Sequence, residues 1–209
     1  MEQQPSQSES ASDIALKDKG DGNSTGKDVF STVLLFGGAL LTAILLNVFV
    51  FQSYEVDGQS MQPTLENRDR LIIYKFGKTL SKIERKTFMP SRGDIIVFHK
   101  PNGTSDQLIK RVIGLPGDHV VVKNEKITIY NSAHPNGFNP DDAPYGGDLS
   151  PTAGNVDVTV GAGEVFVCGD NRVPGASLDS RSILGNVPTK LIVGKLTLRY
   201  MPFGNYKVF

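Results

Sequence analysis

The stretch YEVDGQSMQPTL, Tyr54 to Leu65, divides the chain into two parts of different character. An uncharged, largely apolar segment precedes it, and short β-branched runs follow it. The stretch also carries Ser60, whose hydroxyl is a candidate nucleophile. A serine hydroxyl is a poor nucleophile until a neighbouring base accepts its proton, so the sequence must also supply that base.

The segment before this stretch reads VFSTVLLFGGALLTAILLNVFVF, Val29 to Phe51, and contains no charged residue. At about 1.5 Å per helical residue it can cross a hydrocarbon core of about 30 Å. A cleaved signal peptide is the alternative, but its apolar region runs only about 7 to 15 residues. We therefore predict an uncleaved transmembrane anchor at 29–51. Residues 1–28, which are polar, are predicted to form a disordered cytoplasmic tail.

The basic residues near the anchor predict its orientation. Three lysines precede the span, whereas no Lys or Arg follows it until Arg68. The positive-inside rule then places the N-terminus in the cytoplasm and residues 52–209 outside the membrane. Only nine residues separate Phe51 from Ser60, which reach about 30 Å when extended. The nucleophile is therefore expected to work close to the surface of the lipid bilayer.

Eight β-branched or apolar runs follow, separated by Gly, Pro, Asn and Asp: RLIIYK, GDIIVFH, QLIKRVI, HVVVK, KITIY, VDVTV, EVFVCG and LIVGKLTLRY. Short strands at this spacing predict an all-β region. A hairpin is expected to turn near Asn124 and Glu125. Lys75 to Pro90 is predicted to be a basic loop or ribbon, either solvated or in contact with anionic lipid headgroups. Asn131 to Asn155 is interpreted as a long loop without catalytic chemistry.

The composition limits the kinds of partner and cross-link. The 209 residues include 22 Lys and Arg against 22 Asp and Glu, so the formal net charge is zero. Such a chain has no electrostatic footprint for DNA or RNA, and nucleic acid is not expected as a partner. The single cysteine, Cys168, cannot form an intramolecular disulfide. It is predicted to be a small buried strand residue.

Histidine and lysine are the two candidates for the base that activates Ser60. None of the histidines lies in a recognisable triad context, although sequence spacing alone does not exclude them. The three are His99, His119 and His134. The lysine candidate is Lys110, in the run LIKRVIGLPGD.

The strand pattern around Lys110 makes a neutral amine physically possible. With a side-chain period of two, Leu108, Lys110 and Val112 share one face of the strand, so burial of that face desolvates the ammonium and lowers its pKa. Keeping an unperturbed lysine neutral at pH 7 costs roughly 4.6 kcal/mol, at about 1.36 kcal/mol per pKa unit. Burial shifts a lysine by roughly 3 to 5 units, which is enough to remove that cost.

Four segments, GQSMQPTL, RGDIIVF, IKRVIGLPGD and GDNRVPGASLDSR, occur in the order found in the type I signal peptidases. From about Val29 to its C-terminus the chain resembles that family of membrane-anchored serine endopeptidases. The resemblance implies that Ser60 is the nucleophile and Lys110 the general base, with no metal or organic cofactor. It implies that Ser177 orients the lysine amine. The implied salt-bridge cluster consists of Asp179, Arg181 and Arg111, and the residues implied to line the apolar S1 and S3 pockets are Val56, Met61, Leu65 and Ile109.

The chain departs from the family pattern in two places. Some members have a serine two residues before the nucleophile, whose hydroxyl contributes to the oxyanion hole, whereas this chain has Gly58. The oxyanion would then depend more on the Ser60 backbone N–H, and Gly58 would help by letting the loop or a water approach closely. The segment between Asn171 and Ser177 is also two residues longer than in the common pattern, which affects the expected placement of Ser177. Asp170 and Asn171, at the start of this loop, are expected to brace it locally, because Asp and Asn side chains hydrogen-bond nearby backbone groups in turns.

The resemblance also implies an architecture, a substrate class and a location. The fold would be a single transmembrane helix followed by an all-β catalytic region, an antiparallel barrel-like core with a variable subdomain around 123–158 that lies away from the catalytic core. The substrates would be membrane-tethered precursor proteins whose signal peptides are cut after small residues at A-x-A-like sites. The enzyme would sit in the bacterial plasma membrane, with its catalytic domain outside.

Three alternative functions compete with this hypothesis. Self-cleaving repressors share the Ser/Lys chemistry but are soluble, and the 29–51 span argues against them. A sortase-like enzyme would use Cys168, but VFVCGDN does not match the TLxTC-like context of sortases. A membrane-tethered β-domain that binds an exported partner without catalysis is the remaining alternative.

Overall fold

The computed structural model describes residues 24–83, 88–101, 103 and 105–209. The chain divides into two compact units, with the boundary between Ala43 and Ile44. Residues 1–23 of the predicted tail lie outside the described residues. Residues 84–87 of the predicted basic loop also lie outside them.

The apolar segment forms one long helix, α1, from Ser24 to Phe49. Its stretch Gly26–Phe49 has a mean hydropathy of 2.3 and is long and apolar enough to cross a membrane. The helix begins before the predicted start at Val29, so residues 24–28 are helical rather than part of a disordered tail. They extend the helix because Ser, Thr and Lys are compatible with a first turn, although they add little apolar surface.

The regular structure in the rest of the described chain is mainly β-strand, as predicted. The larger antiparallel sheet has the strand order β1-β2-β11-β3-β4-β9-β10, with β12 paired to β11. The smaller antiparallel sheet has the order β7-β6-β5-β8. The strands are β1 Phe51–Glu55, β2 Arg70–Tyr74, β3 Ile95–His99, β4 Gln107–Gly114, β5 His119–Lys123, β6 Lys126–Asn131, β7 His134–Phe138, β8 Val156–Thr159, β9 Glu164–Cys168, β10 Val187–Pro188, β11 Ile192–Met201 and β12 Lys207–Val208.

All eight predicted runs form strands, but the loop predictions need two corrections. The described part of the predicted basic loop contains a helix, α2, at Phe76–Ile83. Its apolar residues recur at positions 76, 80 and 83, which is a helical period. The predicted long loop at Asn131–Asn155 contains β7, whose HPNGF sequence lacks strand-like alternation. It also contains 3₁₀ turns at Pro140–Asp142 and Pro144–Gly146.

The predicted hairpin is confirmed. Strands β5 and β6 pair in register up to Lys123 and Lys126, so Asn124 and Glu125 form a two-residue turn. Both turn residues have positive φ, 52° and 62° respectively. A two-residue turn with positive φ at both positions matches the right-handed twist of the strands it joins.

Strand β4 is the centre of the core, and this determines the setting of Lys110. Ile109 packs against a cluster of buried apolar residues that includes Ile73. Val112 belongs to a second cluster and Ile113 to a third. Strands β3 and β9 pair with the two edges of β4, while these apolar clusters cover its faces, from which the side chains project. A charged side chain at Lys110 therefore has little access to water.

Candidate active site

Ser60 and Lys110 meet in the structure, as the sequence predicts. Ser60 lies in the turn that follows β1, and Lys110 lies on β4. The Lys110 Nζ donates to the Ser60 Oγ at 2.7 Å and to the Ile109 carbonyl oxygen at 2.7 Å. Fifty positions apart in sequence, the two residues are brought together by the pairing of strands rather than by local structure.

The environment of Lys110 favours a neutral amine. The residue is only 2% exposed, and burial lowers its pKa from 10.5 to about 8. The carboxylates of Asp179 and Asp170 oppose this shift, and the Arg181 guanidinium adds to it. Desolvation is the largest effect, because removing water penalises the ammonium more than the free amine.

The turn that carries Ser60 is held by the loop after β9. The backbone N–H of Asn171 donates to the Ser60 carbonyl oxygen at 3.0 Å, and its side-chain Nδ2 donates to the Gln59 carbonyl oxygen at 3.1 Å. Sequence reasoning gave Asn171 only a local bracing role within its own loop. The structure corrects this, because both bonds fix the backbone of the nucleophile.

Gly58 shapes the same turn but is not placed to donate to an oxyanion. Its φ of 105° lies in a region that favours glycine, and its N–H already donates to Asn67 Oδ1 at 2.9 Å. The Ser60 N–H has no acceptor within the described residues. Of the two expected contributors to the oxyanion hole, Ser60 therefore has an available backbone donor, whereas the Gly58 donor is occupied.

The predicted salt-bridge cluster is present as two separate ion pairs. Arg181 pairs with Asp179, with Nη2–Oδ2 at 2.8 Å and Nε–Oδ1 at 3.0 Å. Arg111 instead pairs with Asp170, with Nε–Oδ1 at 2.9 Å and Nη2–Oδ2 at 2.5 Å. Asp170, expected only to brace its own loop, thus reaches across to β4. Each guanidinium is satisfied by a bidentate carboxylate, the strongest geometry for a buried pair.

Ser177 lies beside the site without contacting the lysine amine. Its Oγ is buried and has no hydrogen-bond partner in the described part of the chain, although it lies near the Asp179 carboxylate and helps to lower the pKa of that group. A Cβ placed on Gly169 would lie 2.2 Å from the Ser177 Oγ and 2.3 Å from the Ser60 carbonyl oxygen. Gly169, which sequence reasoning missed, is thus the residue that lets the two serine segments approach each other.

A cavity of about 130 Å³ opens beside Ser60 and Lys110. Two of the four residues predicted to form the substrate pocket, Val56 and Ile109, line it. Met61 and Leu65 do not line it, because both are fully buried in the core beneath. The other lining residues, which the sequence did not indicate, are Tyr54, Glu55, Asp57, Leu71, Val97, Gln107 and Leu108.

The alternative nucleophile and bases are placed elsewhere. Cys168 is fully buried on β9, and burial raises its thiol pKa to about 12, so it stays protonated. The ring of His119 contacts Asp157, and that of His134 contacts Asn131. His99 lies near Gln107. Lys110 is the only basic side chain that hydrogen-bonds to Ser60 within the described residues.

The segment expected to lie away from the catalytic core contacts it directly. Asp141 forms an ion pair with Arg172, at 2.7 Å. Tyr145 packs its ring against Arg111, with the guanidinium carbon 4.2 Å from the ring centroid. The expectation that this segment lies away from the catalytic core is therefore wrong, whereas the expectation that Asn131–Asn155 carries no catalytic chemistry stays a prediction. Sequence gave no signal, because these contacts join positions 30 or more residues apart.

Comparison with known proteins gives concordant matches over most of the chain. The sequence profile of the family described as "Signal peptidase, peptidase S26" matches residues 29–201. Signal peptidase I of Bacillus caldolyticus is 36% identical over 180 residues, covering 80% of this chain and 89% of that protein. Signal peptidase I of Bacillus amyloliquefaciens is 34% identical over 177 residues, covering 81% and 86%.

Two further matches come from other genera. Signal peptidase IB of Staphylococcus aureus strain COL is 29% identical over 192 residues, covering 87% of this chain and 94% of that protein. Among solved structures, a signal peptidase I of Enterococcus faecalis is 30% identical, with a TM-score of 0.41, covering 52% of this chain and 97% of that one.

Proposed function

This chain belongs to the signal peptidase family, peptidase S26, and on that premise we propose that Ser60 and Lys110 form its catalytic dyad. The family is one of membrane-anchored serine peptidases that remove signal peptides, and α1 is suited to be the anchor. The observation that carries the proposal is the 2.7 Å hydrogen bond between the Lys110 amine and the Ser60 hydroxyl. No second group competes for the Ser60 proton within the described residues.

The reaction follows from the state of the amine. Neutral Lys110 accepts the Ser60 proton while the serine oxygen attacks the scissile carbonyl, which gives a tetrahedral oxyanion and then an ester. The resulting ammonium returns its proton to the leaving amine, and the released peptide departs with a new N-terminus. Lys110, neutral again, takes a proton from a water molecule as the water oxygen attacks the ester carbon. The Lys110 ammonium then gives that proton to the departing Ser60 oxygen, which releases the carboxyl product and regenerates both residues.

The oxyanion and the substrate side chain have assigned places. The backbone N–H of Ser60, which has no acceptor within the described residues, is the proposed hydrogen-bond donor to the oxyanion. The small cavity lined by Val56 and Ile109 fits a side chain such as alanine, which supports cleavage after small residues at A-x-A-like sites. Met61 and Leu65 pack in the same buried cluster as Val56, and their proposed role is to shape this cavity from within the core.

The proposed location follows from the sequence. The three lysines before the span support an N-terminus in the cytoplasm and residues 52–209 outside the membrane. The proposed membrane is the plasma membrane of a bacterial cell, as in the matched bacterial relatives. Residues 1–23 remain a proposed cytoplasmic tail, since residues 24–28 of the predicted tail belong to α1. The partners are precursors that carry signal peptides, together with the lipid bilayer that holds both enzyme and substrate.

Cleavage of a model precursor in detergent micelles tests the dyad. Ser60→Ala and Lys110→Ala should each lower kcat by at least about 10³-fold, since both the nucleophile and its base are needed for the first step. A non-catalytic partner-binding domain is the competing function. A serine-directed acylating probe separates the two, because labelling of the intact chain that is lost in Ser60→Ala requires an activated hydroxyl. Retained cleavage by Lys110→Ala would refute the Ser/Lys dyad.

A further inference from the structure

The inserted segment 139–153 supplies the polar partners of a fully buried charge in the catalytic region, Arg172. Arg172 has 0% exposure, and its guanidinium donates twice to Asp141, at 2.7 and 2.8 Å, and once to the Thr152 hydroxyl, at 2.8 Å. Asp141 is its only carboxylate partner within the described residues. A buried guanidinium depends on such a partner, because its charge has no water to solvate it.

Arg172 is one residue away from the group that fixes the nucleophile. Asn171, its neighbour, makes both hydrogen bonds to the turn that carries Ser60. The backbone of the insertion joins the same loop, because the Ala153 N–H donates to the Arg172 carbonyl oxygen at 3.1 Å. Arg181 Nη1 donates to the carbonyl oxygens of both Ala153 and Arg172, at 3.0 Å each. The insertion is thus bonded on one side to the loop that holds Ser60.

A second contact links the insertion to the strand that carries the base. The ring of Tyr145 lies 4.2 Å from the guanidinium carbon of Arg111, which directly follows Lys110 on β4. The Tyr145 hydroxyl donates to the Pro140 carbonyl oxygen at 2.7 Å, which fixes the ring. The guanidinium is therefore held between this ring and the Asp170 carboxylate. A cation stacked on an aromatic face gains both electrostatic attraction and shielding from water.

We propose that Asp141 and Tyr145 are positioning residues of the peptidase, through which the inserted segment fixes both halves of the dyad. Asp141 acts through Arg172 on the turn of Ser60. Tyr145 acts through Arg111 on β4 and so on Lys110. Neither touches the reacting atoms. This inference deepens the proposed function and rests on it.

The physical consequence of losing either contact is a looser and wetter dyad. Removal of the Asp141 carboxylate leaves the Arg172 charge without compensation, so the loop must open to hydrate it. Removal of the Tyr145 ring exposes one face of Arg111 to solvent. In both cases water approaches Lys110, and less desolvation means that its pKa rises from about 8 toward its ordinary value. The charged groups around the amine, Asp170, Asp179 and Arg181, also shift with the loop.

The test compares precursor cleavage by full-length variants in micelles. We expect Asp141→Asn to lower kcat about 10- to 100-fold, because a displacement of about 1 Å at the dyad has an effect of that order. Tyr145→Leu should lower kcat about tenfold, and Tyr145→Phe, which keeps the stacked ring, should recover most of that loss. KM should stay within about twofold, and the acid limb of kcat/KM should move to higher pH. Asp148→Asn is the matched control, since this exposed aspartate of the same segment makes no contact with the site.

Each outcome decides the proposal. Equal kcat and an equal acid limb for Asp141→Asn, Tyr145→Leu and Asp148→Asn would overturn it. A rise in KM alone would also overturn it, because that result assigns the segment to substrate binding. If Asp141→Asn fails to fold, the comparison of Tyr145→Leu with Tyr145→Phe decides instead. Failure of the proposed function is distinguishable, since the wild type would then cleave no better than Ser60→Ala.

Discussion

Raising the pH from 7 to 9 should increase kcat/KM about tenfold, because only the neutral form of Lys110 can accept the Ser60 proton. The structure lowers the pKa of this amine to about 8, chiefly by burial. About one molecule in eleven then carries a neutral amine at pH 7, and about ten in eleven at pH 9. The rate should rise with pH along a limb centred near 8 and reach a plateau above 9.

The size of the increase in kcat/KM distinguishes a lysine with a lowered pKa from a lysine with its ordinary pKa. With the ordinary pKa of 10.5, the neutral fraction would rise about a hundredfold between pH 7 and 9 and would continue to rise beyond pH 10. At pH 7 the difference between the two pKa values corresponds to about 3 kcal/mol in the free energy needed to deprotonate the amine, at about 1.36 kcal/mol per unit.

The assay is the initial rate of cleavage of a precursor peptide without titratable groups near its cleavage site, in micelles from pH 6 to 10.5. At substrate concentrations far below KM the rate reports kcat/KM, and hence the pKa of the free enzyme. Enzyme held at each pH and returned to pH 8 controls for irreversible inactivation. A limb centred above 10, or a rate that does not change between pH 7 and 9, would refute the reasoning.

Four further outcomes are expected. Gly169→Ala should lower kcat by about 10²-fold, because the added Cβ would collide with the backbone carbonyl of Ser60. Gly147→Ala is the control, since its Cβ meets nothing within 4 Å, and its kcat should not fall. Equal kcat values for the two variants would contradict this. The pKa of Lys110 is lower in the folded state than in the unfolded state, so the unfolded state binds more protons between pH 8 and 10.5. The free energy of unfolding of the wild type should therefore rise by up to about 3 kcal/mol across that window. Lys110→Met should not show this rise. Glu125→Gly should raise the unfolding free energy by about 0.5 to 1 kcal/mol, because glycine relieves the positive φ; a loss of stability in urea titrations would count against it. Cys168 should react with a thiol reagent only after unfolding, because it is buried with a pKa of about 12; labelling of the folded chain would contradict this.

The fold was predictable wherever the chain uses local patterns. The apolar run Val29–Phe51 and eight strand runs are visible as composition and period, and the Asn124–Glu125 turn is visible as a break between two of them. Strand β7 was not predictable, because HPNGF joins its sheet through the register of β6 rather than through any preference of its own. The helix α2 was missed because a period spread over 8 residues is a weak signal.

The site was predictable in its chemistry but not in its supports. Ser60 and Lys110 stand in motifs whose residue types match a Ser/Lys reaction. The partner of Arg111 was not predictable, because a carboxylate at position 170 or at position 179 satisfies the same sequence pattern, and only the pairing of β4 with β9 selects Asp170. Tyr145 carries no motif at all. Contacts between side chains far apart in sequence are determined by packing, which no local pattern encodes.

The burial that makes Lys110 a base comes from the sheet rather than from the dyad. Ile109 and Val112 belong to two different core clusters, so β4 is fixed on both faces before the lysine is considered. Burying an ammonium there opposes folding, because the charged form loses its hydration. The core must therefore supply a surplus of apolar burial that keeps the amine in place. It follows that substitutions which loosen the core around β4 should lower activity before they unfold the domain, since water that reaches Lys110 raises its pKa while most strand pairing remains intact.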